Sequence, residues 1–393
     1  MPGFDADNGA GYAPCMGKTS NILAAALVAG LIYLGILGRL IELVLPVFIA
    51  SAGRDLGLSN YTLGAMAGAE LIGTVLFSLF LARRFAGMGA RLLALIGVVA
   101  LFAFNALSGF ISNANLLVAV RFLAGLVGEG PLLVVAVTLL GRREGASRIY
   151  AIFMGSQMVV GGLALAALGV VDSLSGFRGV SVSMAILTIA GLISIPLLPH
   201  EQVAGEKDPL SGRLMRWDGA SLLLIGMASF HIAVAAAWAF MQQKGASLGL
   251  GEAEGGGLLA IMLSGGLLGS LYVAILKTSR LWVLVSCVTL ALSAAVALAA
   301  SDTFIFAICG ILIMVSWNIA VPHQIAQLSE DLGAKGRLAL VPGAQGVGLA
   351  AGPVLAGVTS QPGEYLGTAW LVVISLAVAL MCFWKGGFPI RGK

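Results

Sequence analysis

Charge is scarce in this chain. Asp, Glu, Lys and Arg make up 10% of its 393 residues, against roughly 25% in an ordinary soluble domain, too few to clothe a soluble surface of this size. Histidine numbers three and cysteine four. Cys15, Cys287, Cys309 and Cys382 lie far apart, with no Cys-x-x-Cys or Cys/His spacing, so no metal or redox centre is expected and the thiols read as free. Gly265-Gly266 has no Lys-Ser/Thr phosphate loop after it, and no Ser/His/Asp constellation has a recognisable spacing. The chain is therefore not expected to be an enzyme or to burn ATP. Its expected energy source is a gradient of protons, with Na⁺ as the alternative ion, and no bound cofactor. The net charge of +4 does not point to nucleic acid, because most basic residues sit in short gaps between apolar runs, as topology signals do.

Those apolar runs are what the chain has in abundance: 59% of residues are hydrophobic, 54 are glycine, and the mean hydropathy is +1.01. Runs of about 20 residues predict spans at 21–50, 61–81, 92–112, 116–140, 149–171 and 179–198, then at 217–241, 255–276, 281–300, 303–327, 337–360 and 365–384. The charged stretch 199–216 reads as a linker between two six-span halves, 21–198 and 217–384, with short tails at 1–20 and 385–393. Asp218 is placed to cap the seventh span. The first span follows a polar, Gly-rich segment and reads as uncleaved.

Basic residues set the orientation. Seventeen fall in segments on one side, among them Arg83, Arg84, Arg142, Arg143, Lys207 and Lys385, and three on the other, Arg54, Arg178 and Lys244. By the positive-inside rule both termini are cytoplasmic, in a bacterial-type inner membrane. A short internal repeat, Gly155-Ser-Gln157 against Gly343-Ala-Gln345, marks the fifth span of each half.

One segment stands apart, Arg121-Phe-Leu-Ala-Gly125-Leu-Val-Gly128-Glu129-Gly-Pro131. Charged groups at a span centre cost roughly 2.5 to 3.5 kcal/mol each. Arg121, Gly125 and Gly128 share one helical face, and Glu129 lies about 12 Å further along the axis. This Arg-x-x-x-Gly-x-x-Gly segment, the exit of span one from Leu45-Pro46 to Gly57-Leu-Ser59, and Gly348-Leu-Ala-Ala-Gly352-Pro353 in span eleven together resemble the major facilitator superfamily. The resemblance implies an all-α membrane protein of twelve transmembrane helices, in two six-helix halves related by a pseudo-twofold axis, working by alternating access. It implies proton coupling for Arg121 and a cavity lined by helices one, four and seven. No subfamily is indicated. The chain also departs from the family's pattern, with Arg83 where the loop between helices two and three ordinarily has Asp, and with Gly161-Gly162 lacking the proline of the fifth-helix motif.

Five ionisable residues fall inside spans of the first half: Arg39, Glu42, Glu70, Arg121 and Glu129. They are the candidates for proton coupling, since a carboxylate taken out of water is harder to ionise. Arg39 and Glu42 are one turn apart, and Glu42 and Arg121, set at similar depth, are expected to meet. The alternative is a permanent ion pair that only fixes helices. For the substrate wall the candidates are His231 and Trp238 on span seven, Trp317, Asn318 and Gln324 on span ten, and Gln157 and Gln345, expected to face each other across the pseudo-twofold axis; each has plain packing as its alternative.

The expected function is a secondary active transporter, proton-coupled, monomeric in the lipid bilayer, moving a small organic or aromatic solute, with organic anions suggested by Arg39 and Arg121. The rivals are a proton-coupled drug exporter, suggested by the Gly-Pro motif of span eleven, and a non-transporting scaffold that kept the fold.

Overall fold

The computed structural model describes residues 15–85, 87–143, 145–200, 202, 218–275, 279–330, 340–361 and 363–386. Most of the proposed linker 199–216, both tail ends and the side chain of Arg83 lie outside the described residues. Eleven stretches are long and apolar enough to cross a membrane: α1 (Ile22–Leu56), α2 (Asn60–Phe80), α3 (Ala90–Ser108), α4 (Ala114–Gly141), Arg148–Leu197, α7 (Gly219–Ser247), α8 (Glu252–Val273), α9 (Arg280–Ala299), α10 (Thr303–Ser329), α11 (Val341–Thr359) and α12 (Leu366–Gly386). The 50 residues of Arg148–Leu197 would extend about 75 Å as one helix, over twice a bilayer core. They break at Gly176, whose φ of 60° and ψ of −157° lie in a region open only to glycine. We therefore count α5 (148–175) and α6 (177–197), twelve crossings in all.

The chain turns between distal and proximal faces. The distal face holds the α1–α2 turn and Gly176, and the proximal face holds the start of α1 and the end of α12. Each half packs on itself, α2 on α4 and α7 on α11 and α12. The halves meet along two seams, α2 on α11 and α5 on α8, where Gly169 and Gly256 approach within van der Waals distance. Outside the seams large apolar side chains stand exposed, Leu174, Ile193 and Ile275 among them, a surface for lipid to cover. The protein is an integral, multi-pass membrane protein.

Helices α1, α2 and α4 are irregular inside the bundle. α1 breaks at Gly38–Arg39 and restarts as Leu40–Leu56. Pro46 in that second segment has no N–H to give the carbonyl of Glu42, and the indole Nε1 of Trp238 on α7 donates to that carbonyl at 3.1 Å. α4 runs as a π-helix over Ala124–Glu129, where Gly125 and Gly128, with Gly130 and Pro131 just after, weaken the α-helical ladder; such bulges often mark functional sites. α2 ends in a similar turn, Phe77–Leu81.

Candidate functional site: a buried carboxylate cluster between α1, α2 and α4

Arg121 is the largest fully enclosed side chain among the described residues, at 0% exposure. Its Nε donates to Glu70 Oε2 at 2.8 Å, and Nη2 is ion-paired to Glu70 Oε1. Nη1 donates to Asn105 Oδ1 at 2.7 Å and to Ser108 Oγ at 3.3 Å. Asn105 is held in turn by Thr188, and Phe48 lays its ring 4.8 Å from the guanidinium carbon. Glycine makes this possible: a Cβ on Gly125 would run into the carbonyl of Glu70, so only glycine lets α4 approach α2 closely enough for the pair.

This arrangement corrects the expected Glu42–Arg121 pair. α1 does not end near residue 50 but runs to Leu56, which places Glu42 about 21 Å below the distal end of its helix, whereas Arg121 is about 10 Å below the distal end of α4. Glu42 pairs with Arg39 instead, at 2.7 Å.

Glu129, 2% exposed, lies near Glu70 and Arg121 without an ion pair of its own among the described residues. Its Oε2 accepts from the Thr74 hydroxyl at 3.0 Å, and its Oε1 from the Ile41 N–H at 3.4 Å. Ile41 is in the first turn after the α1 break, so Glu129 answers one of the N–H groups that a helix start leaves without a partner. Both partners are neutral, and the Thr74 hydroxyl can either donate or accept. The position can thus accommodate the carboxyl with or without its proton. At Glu70 a proton would cancel the charge that pairs with the Arg121 guanidinium, leaving that cation only neutral acceptors.

His231 is 2% exposed and back-bonded to Met227 O at 2.8 Å. Trp238, 3% exposed, fills the α1–α7 joint. Asn318 faces α8, donating to Met314 O and accepting from Ser270. Trp317 and Gln324 are buried. Gln157 is buried and bonded to Met154 of its own helix, while Gln345 is half-buried on α11; the two are not hydrogen-bonded to each other.

Sequence reading missed one acidic residue. Asp172, 2% exposed, follows the apolar run that marked span five and was counted with the loop. It accepts from Ser51 at 2.5 Å and from Arg54 Nη2 at 2.7 Å. Arg54, expected in a loop, lies in the last turn of α1 and reaches across the halves to Glu252 Oε1 at 2.9 Å. Asp55 accepts from the Phe177 N–H at 2.6 Å, just past the Gly176 break. An Asp at a loop-like position and a glycine three residues before a predicted span were the only signals available. A cavity of 850 Å³ at the proximal end of α1, α4 and α5, lined by Ala25, Ile32, Leu139, Arg143 and Pro199, contains none of the candidate residues.

No curated protein matches the chain. Among solved structures, a variant of the nucleoside transporter NupG aligns with a TM-score of 0.64 at 13% identity, over 92% of this chain and 98% of that one. The nucleoside transporter NupG itself aligns with a TM-score of 0.63 at 14% identity, over 94% and 100%. At these identities the likeness is one of fold. The sequence profile of the Major Facilitator Superfamily matches residues 22–337, most of the described bundle. The chain belongs to the major facilitator superfamily, as a transporter and not an enzyme.

Proposed function

We propose that the protein is a proton-coupled secondary transporter of a small organic or aromatic solute, with Glu129 as the proton carrier. The observation that carries this reading is the environment of Glu129: an enclosed carboxyl held only by neutral groups, one of them a hydroxyl that suits either protonation state, beside a fixed Glu70–Arg121 pair whose charges act on it. Glu129 also touches the restart of α1. Gain or loss of its proton therefore changes the force on a broken helix at the junction of the halves, a mechanical link from proton to rocking. Glu70, Arg121, Asn105 and Ser108 hold that geometry. With the positive-inside orientation, the distal face is the outer one, and in this conformation it is closed by the Arg54–Glu252 and Asn60–Ser360 contacts.

The anion version of the substrate now rests on Arg39 alone. Arg121 is sealed by its partners, whereas Arg39 keeps a side-chain exposure of 27% and a buried Nε without a hydrogen-bond partner. Nothing in the arrangement favours a scaffold. In proteoliposomes, Glu129→Gln is expected to abolish solute-driven proton movement while leaving solute exchange at equal concentrations intact. Intact proton coupling in that variant sinks the assignment.

A further inference from the structure

Five buried side-chain nitrogen and oxygen atoms without a hydrogen-bond partner among the described residues sit within five positions of α10: His323 Nε2, both amide atoms of Gln324 and both of Gln327. Gln324 is 0% exposed and His323 2%. Buried amides are almost always partnered, and an apolar side chain of the same shape would fit at lower cost. Two glutamines kept unpartnered one turn apart therefore point to a partner that comes and goes.

The direction they face is set by the helix. Pro322, Ile325 and Ser329 are the exposed residues of this stretch, and at 100° per residue Trp317, Ala320, Gln324 and Gln327 lie on the opposite side. Trp317 is about 10 Å deeper than Gln324, so the stripe runs from mid-depth toward the proximal face. Between Thr303 and Ser329, α10 has no Asp, Glu, Lys or Arg.

We infer that the transported solute is recognised on this inward stripe, and that it is an uncharged, planar molecule bearing an amide-type edge, an N–H beside a C=O. A glutamine amide offers one acceptor and two donors in a plane, and pairs with such an edge through two parallel hydrogen bonds, as it does when reading the edge of a base. Trp317 supplies a face for the ring to pack on. The absence of charge on α10 leaves neither a carboxylate nor an ammonium group its counter-ion there. This inference deepens the transporter reading and rests on it.

The test uses the full chain purified in detergent and the thermal-shift response to four probes: uracil, the same ring with both N–H groups methylated, benzoate and tetraphenylphosphonium. Ligands of the folded state raise its apparent midpoint by mass action. Uracil is expected to stabilise the protein and its methylated form is not. Gln324→Leu is expected to fold with a midpoint at or above that of the parent and to bind uracil at least about tenfold more weakly, the loss of one good hydrogen bond. Should Gln324→Leu fail to accumulate, Gln327→Leu carries the same comparison. Equal responses to the two rings, or an unchanged uracil response in both variants, would mean that the amides serve only bound water, and overturns the inference. Stabilisation by benzoate or tetraphenylphosphonium alone overturns it while leaving the transporter reading standing. Silence from all four overturns it too, and the proton-flux experiment on Glu129→Gln then judges the transporter reading separately.

Discussion

Two glutamates in this protein share a neighbourhood but not a chemistry, and the difference lies in what each would leave behind. Removing Glu70 orphans a guanidinium with no route to water. Glu70→Ala is expected to lose about 3–5 kcal/mol of stability, the usual result of breaking one side of a buried pair, read as a collapse of the thermal midpoint in detergent. The double variant Glu70→Leu with Arg121→Leu should recover most of that midpoint, because apolar residues of similar volume can replace a buried pair at little cost. A single variant that melts like the parent would show that the pair does not hold the helices. For Glu129 the decisive neighbour is a hydroxyl. Thr74→Val keeps the shape and removes the group that adapts to the proton, so proton-driven uptake should fall by roughly tenfold, the worth of one hydrogen bond, while Thr74→Ser stays near the parent rate. Equal rates in the two would remove Thr74 from the proposal.

Helices were far more legible than their rotations. Apolar run lengths located all twelve crossings to within a few residues, because the bilayer core imposes its thickness on the sequence directly. The ends were less legible where polar residues are carried inside the fold. α1 runs on through Ser51, Arg54 and Asp55, whose partners on neighbouring helices satisfy them, and α7 through Gln242, Gln243 and Lys244, all groups that a hydropathy window counts as loop. Spacing along one helix places Arg121, Gly125 and Gly128 on one face, with Glu129 further down it. It held no information on which face of which neighbour they meet, so Glu70, on another helix, was not seen as the partner of Arg121. The α1 break at Gly38–Arg39 was equally hidden, since an apolar run continues through it. At this scale the α2–α4 contact makes the sharpest demand. Gly125→Ala sets a methyl against the Glu70 carbonyl and should cost about 1–3 kcal/mol or more, as overpacking does, seen as a lower midpoint and poorer accumulation. A variant of parental stability would mean that the two helices can part without loss.

At the scale of the molecule, the two halves are joined by seams that run the length of the bundle, by polar contacts at the distal face, Arg54 with Glu252 and Asn60 with Ser360 at 3.1 Å, and deeper in the bundle by the Trp238 indole on the Glu42 carbonyl. Glu252→Gln is expected to shift the population toward the distally open form by up to about fivefold, since partly exposed pairs contribute up to about 1 kcal/mol. Labelling of a cysteine placed beneath the contact, by a reagent added from the distal side, measures the shift; an unchanged labelling rate would deny the contact a gating role. Arg54 holds Asp172 with two nitrogens and Glu252 with one. When the halves separate, the guanidinium keeps its buried partner and only an exposed carboxylate is released into water. A bond of that kind can be made and broken on every cycle without stranding a charge, so its lifetime follows the ionic strength of the medium on that side, and the balance between open and closed forms should be sensitive to salt on one face of the membrane and not the other.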